Sequence, residues 1–137
     1  MGGAAGGRDA QPAGGGTRPQ PGNARAPCPE EIIEQGAEAG CPFVLFDTWK
    51  KQAGTLLDWA SPELLANWIG RIHALGMRAA LAGSVQSKML PDVVALQPDV
   101  IAVRGGVCDR LDRTASVCEE AVRAFKEEMQ SARLALR

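Results

Sequence analysis

Three short strings in this sequence set reactive side chains beside small residues. Asp47-Thr-Trp-Lys-Lys puts a carboxylate next to two amines, Lys50 and Lys51. A partly desolvated amine near a carboxylate can act as a general base, form an imine with a carbonyl, or bind phosphate. A solvated basic loop has the same composition, and Asp47 could simply cap the loop that follows. Ala82-Gly83-Ser84 joins a residue without a Cβ to a hydroxyl donor, so an anion can approach the backbone closely. A plain turn before a helix reads the same way. Arg104-Gly105-Gly106 offers a guanidinium beside two unhindered N–H groups.

Each string ends an apolar run, and these runs are the elements that must position the chemistry. Phe43–Phe46, residues 77–82 and residues 99–103 are short and almost wholly apolar, as strands buried in a parallel sheet are. Between them lie helical patterns. Residues 30–39 carry Ile32, Ile33 and Ala37 at helical spacing behind Pro29, and Gly40 ends them. Ser61-Pro62 reads as an N-cap and first helical proline, followed by the stripe Leu64, Leu65, Trp68, Ile69 and Ile72. Residues 88–96 form a short helix with Pro91 in its first turn, and residues 115–133 a long amphipathic one. The order is α-β-α-β-α-β-α with three parallel strands. A doubly wound sheet and half a barrel both satisfy it, and both place ligands at the C-terminal strand ends. Two successive anion-friendly loops, after the second and third strands, point to a phosphate site.

Composition narrows the possibilities. Of the 137 residues, residues 1–27 are rich in Gly and Pro and carry few apolar side chains larger than Ala. Such a stretch cannot offset its ordering entropy, so a disordered leader is expected there, with residues 28–137 as the domain. The leader lacks the apolar core of a secretory signal. It could be a transit peptide; a mis-assigned gene start or frameshifted upstream sequence fits it better. A domain of roughly 110 residues is well short of the roughly 250 of a closed (β/α)₈ barrel. A net charge of −1 gives no electrostatic reason for a nucleic-acid or membrane partner. No run approaches the ~18 apolar residues of a membrane span. Cys28, Cys41, Cys108 and Cys118 form no CxxC pair and have no histidine at ligand spacing, so neither metal nor cofactor is expected, and the thiols suit a reducing cytoplasm. His73, the one histidine, reads as a surface or packing residue, and Trp59 and Trp68 as core or helix-packing anchors.

Taken in order, Val44-Leu-Phe-Asp-Thr-x-x-Lys, Thr55-Leu-Leu-Asp58, Ala80-Leu-Ala-Gly-Ser84, and Val103-Arg-Gly-Gly-x-Cys108 with Asp112-Arg113 resemble the (5-formylfuran-3-yl)methyl phosphate synthase family. The resemblance runs from about Glu30 to Met129. It implies the C-terminal half of a TIM barrel. It also implies a lyase that condenses two molecules of glyceraldehyde 3-phosphate into the phosphorylated furan precursor of methanofuran. Asp47 and Lys51 match an Asp and a Lys of the family's active site. Gly83, Ser84, Arg104, Gly105 and Gly106 match its two phosphate-side loops. The family resembles class I aldolases in using a Schiff-base lysine and a second lysine for proton transfer, both from its N-terminal half. Here the first lysine is Lys50, so the chain by itself is expected to be inactive, and its unpaired strand edges to favour self-association. The same strand ends would suit another phosphate-binding class I aldolase or a phosphosugar isomerase barrel. A non-catalytic half-barrel acting as a binding module is the alternative outside enzymes.

Overall fold

The computed structural model describes residues 27–48 and 54–137. The expected leader lies outside the described residues except for Pro27, and so do Lys50 and Lys51. Helix α1 (Pro29–Glu38) begins with the Pro29 ring in its first turn, while the Glu31 carboxylate accepts from the Cys28 N–H at 2.9 Å. Strand β1 (Phe43–Phe46) follows, then a single-turn helix α2 (Leu56–Trp59) and the longer α3 (Pro62–Ala74). The Ser61 hydroxyl accepts from the Leu64 N–H, the N-cap the sequence implies. Strand β2 (Arg78–Leu81), α4 (Leu90–Ala95), strand β3 (Val100–Ile101) and α5 (Glu119–Ala135) complete the order.

The three strands form one parallel sheet in the order β1-β2-β3. Phe43 pairs with Arg78, Leu45 with Ala80, and Ala80 with Val100. Because side chains alternate along a strand, this register gives the sheet two distinct faces. Val44, Ala79 and Leu81 sit on one, in a core with Ile33 of α1 and Leu65, Ile69 and Ile72 of α3. Burying each such aliphatic chain stabilises the fold by about 1.5–3 kcal/mol. Phe43, Leu45 and Val100 occupy the other face and stay exposed, Leu45 by 57%. The Arg78 guanidinium lies 4.3 Å from the Phe43 ring centre on that face. A second core joins α4 to α5 through Leu90, Val94 and Phe125, with Val85 and Val107.

Five expectations need correction. The expected strand at 77–82 is regular only over Arg78–Leu81, and that at 99–103 only over Val100–Ile101. The ladder continues one residue further in backbone bonds from the Ala82 N–H to the Phe46 carbonyl and from the Ala102 N–H to the Leu81 carbonyl. The helix expected at 88–96 opens as a 3₁₀ turn (Ser87–Met89) and becomes α-helical from Leu90, with Pro91 in the first turn. The last helix starts at Glu119, because Val117 makes an antiparallel bridge to Cys108 and the Cys118 N–H bonds the Val107 carbonyl. Trp59 is 61% exposed and is no core anchor. Trp68 does pack as expected, stacked on Phe46 at 5.2 Å, with its indole N–H donating to Glu30 at 2.7 Å.

His73 lies on the surface and bonds the Asp99 carboxylate at 2.8 Å. Asp99 also accepts from the Ala79 N–H at 2.8 Å, tying α3, β2 and the start of β3 together. These bonds hold its carboxyl below the usual range, the backbone donor contributing most and His73 next. The four cysteines are free thiols. No described helix is long and apolar enough to cross a membrane.

Candidate functional site

At the C-terminal ends of the strands an open cleft of about 580 Å³ is lined by Asp47 after β1, Gly83 and Ser84 after β2, and Arg104, Gly105 and Gly106 after β3. Six of the seven residues singled out in the sequence therefore converge. The seventh, Lys51, lies outside the described residues. The convergence follows from topology, since parallel strands in register present their C-terminal loops on one rim.

Glycine is required at two of these positions. Gly83 has φ +115°, and a Cβ there would stand 2.8 Å from Thr48 Cγ2 and 3.2 Å from Leu56 Cβ. That close approach lets the Gly83 carbonyl accept from the Leu56 N–H at 2.9 Å, fastening α2 to the end of β2. Ser84 follows at φ +53°, a left-handed conformation uncommon outside glycine. A Cβ on Gly106 would meet the Val85 carbonyl oxygen at 2.9 Å, so the β3 loop lies directly against the β2 loop.

Arg104 donates from Nε to the Arg113 carbonyl at 3.2 Å. Its own carbonyl accepts from the Val107 N–H and the Cys108 thiol. The Asp47 carboxylate accepts from the Thr48 N–H at 2.8 Å, the local capping role open to it from the sequence. Thr48 itself is buried. Beside the cleft, Asp58 accepts from the Thr55 backbone and hydroxyl at 2.7 and 3.0 Å. Those bonds lower its pKa, the backbone one most, and the Lys88 charge adds to them.

Sequence reasoning passed over Thr55, Gln86, Leu111 and Arg113, which also line the cleft. Arg113 stands in the quoted Asp112-Arg113 pair, but nothing in its spacing shows that the chain folds back there. An apolar pocket of about 330 Å³ adjoins, lined by Phe46, Leu56, Trp59 and Trp68 and sharing Asp47. Among the described residues no group of three or more His, Cys, Asp or Glu is placed to hold a metal ion.

Adjacent parallel strands ending in glycine-rich and cationic loops define an α/β protein with a cleft at its strand ends, the place where such sheets take ligands. Comparison with known proteins makes the assignment specific. The family described as 4-HFC-P synthase matches residues 22–126. The (5-formylfuran-3-yl)methyl phosphate synthase of Methanocaldococcus jannaschii is 35% identical over 91 residues, 66% of this chain and 39% of that protein. That of Methanobrevibacter smithii is 36% identical over 100 residues, covering 72% and 42%. A putative synthase of Kitasatospora aureofaciens is 34% identical over 102 residues, covering 74% and 41%. The chain belongs to the 4-HFC-P synthase family. It spans about two fifths of the length of these relatives.

Proposed function

We propose that the cleft binds the phosphate of glyceraldehyde 3-phosphate, and that the chain supplies this end of a lyase condensing two such molecules into a furan phosphate. The observation that carries the reading is the meeting of Gly83-Ser84 with Arg104-Gly105-Gly106 in one cleft at adjacent strand ends. Unhindered backbone at the glycines, the Ser84 hydroxyl and the Arg104 guanidinium together provide the donor set a phosphate monoester requires. The sheet favours a barrel segment over a doubly wound sheet. Its helix-covered core lies on one face, and Phe43, Leu45 and Val100 of the other stay exposed, as the inner wall of a barrel would before closure.

In this reading an imine on a lysine from outside the chain makes the neighbouring carbon acidic enough to attack the second aldehyde. Water and phosphate then leave in steps that need proton transfers. Asp47 lines the cleft beside the phosphate loops, and with Lys51 it serves those transfers. Arg104 holds the charge in place while they occur.

The test joins residues 28–137 to the N-terminal part of the Methanocaldococcus jannaschii relative and follows furan phosphate by mass spectrometry. Activity of the joined protein, and its loss in Asp47→Asn and Lys51→Ala, is the expected result. A different product from the same substrate would assign the cleft to another aldolase or isomerase. Residues 1–137 alone, given glyceraldehyde 3-phosphate and borohydride, are expected to yield neither furan phosphate nor a reduced adduct. A stoichiometric adduct on Lys51 together with product would overturn that expectation.

A further inference from the structure

The loop between β3 and α5 is pinned at its base and brings a second arginine to the cleft. The Asp109 N–H donates to the Ser116 carbonyl at 3.0 Å, and the Cys118 N–H to the Val107 carbonyl at 2.9 Å. Inside the loop, Asp112 accepts from the Thr114 N–H and hydroxyl at 2.9 and 2.7 Å. Arg110 and Leu111 are both held at positive φ, 50° and 59°, a reversal that non-glycine residues adopt only when their surroundings impose it. The result is that Leu111 and Arg113 line the same cleft as Arg104 and Ser84. Gly105 lies directly beside Arg113, since a Cβ there would be in ordinary van der Waals contact with Arg113 Cβ at 3.5 Å.

The arginines of the cleft differ in their partners from Arg71, Arg78 and Arg123 elsewhere in the molecule. Arg71 and Arg123 each meet a glutamate, and Arg78 lies over Phe43. Among the described residues, neither Arg104 nor Arg113 meets a carboxylate. The bond from Arg104 Nε to the Arg113 carbonyl fixes the two residues to each other and uses only one N–H of the Arg104 fork.

We propose that Arg113 is a second anion-binding residue of the cleft, acting with Arg104 on the phosphate monoester dianion of the substrate. The proposal rests on the phosphate-site reading above and adds a ligand to it. Two guanidiniums match a doubly charged phosphate better than one, and a carboxylate would leave part of the donor set unused.

The full chain is titrated with inorganic phosphate, following backbone amide NMR signals of Gly83, Ser84, Gly105 and Gly106. Arg113→Ala is expected to weaken binding roughly 10-fold or more, as loss of a charge-assisted contact does. Arg113→Lys should fall between it and wild type. Arg110→Ala removes the same charge from the same loop but no cleft-lining side chain, so it should bind as wild type does. Arg113→Gln serves the same comparison if the alanine variant loses its fold by circular dichroism. If Arg113→Ala binds like Arg110→Ala while Arg104→Ala is weakened, the Arg113 assignment falls and the phosphate site stands. Equal weakening by all three arginine variants would mean general charge rather than contact, and would also overturn it. No phosphate-dependent shift in the wild-type chain would sink both readings.

Discussion

Gly83→Ala tests the join on which the cleft depends. The added methyl would enter a backbone conformation of φ +115° and would stand 2.8 Å from Thr48 Cγ2, 3.2 Å from Leu56 Cβ and 3.3 Å from the Thr48 nitrogen. Holding a non-glycine residue in such a conformation costs about 1–3 kcal/mol. Forcing a methyl into packed surroundings costs about 1–3 kcal/mol more. Thr48 and Leu56 are both buried, so neither can swing away into solvent. The expected destabilisation is therefore about 2–6 kcal/mol, a large share of the stability of a small domain. Urea denaturation followed by circular dichroism reads it as a midpoint lowered by on the order of 1–2 M. Gly70→Ala is the control: Gly70 is exposed within α3, its added Cβ meets nothing within 4 Å, and stability should rise by about 1 kcal/mol. A Gly83→Ala chain within about 0.5 kcal/mol of wild type would refute the reasoning, because the β2–α2 contact would then be loose enough to absorb a methyl.

Other perturbations probe separate parts of the molecule. Ser61→Ala removes the acceptor for the Leu64 N–H and should cost about 1 kcal/mol by the same denaturation measurement. Asp99 has its carboxyl pKa lowered on folding. Its contribution is therefore present above the ordinary carboxylate value and lost as pH falls through the lower folded value. Thermal melts from about pH 2 to 6 should show this acid-side loss reduced in Asp99→Asn. Leu45→Lys places a charge in the middle of the exposed sheet face. If that face and the strand edges drive self-association, sedimentation should show the wild type associating as concentration rises and the variant shifted toward monomer.

The strands were legible because each is an apolar run closed by a polar or glycine signal, and such runs depend little on distant contacts. Their shortening was not. Asp99 looks like the first residue of β3, yet its side chain is taken up by the Ala79 N–H and His73. Residues 115–118 adjoin the amphipathic pattern of the last helix, but the Cys108–Val117 bridge and the bond from the Cys118 N–H to the Val107 carbonyl keep Val117 and Cys118 out of it. Those partners lie about ten residues upstream, beyond what a local pattern can register. Trp59 was read as an anchor from its size. Its place in the short helix α2, which faces the apolar pocket, follows from the tie between Leu56 and Gly83.

The cleft was legible for the same reason as the strands. Parallel order alone sends every C-terminal loop to one rim, so the three strings singled out in the sequence had to meet once the strand order was right. What the local strings could not show is which later residues return to that rim. Arg113 reaches the cleft because Arg110 and Leu111 reverse the chain through left-handed backbone and Asp109 is bonded to Ser116. Neither feature has a composition signal, since no glycine or asparagine marks the reversal. The charges thus gather by two routes. Arg104 arrives with its strand, and Arg113 is brought back by its loop. Only the first can be read from the pattern of apolar runs.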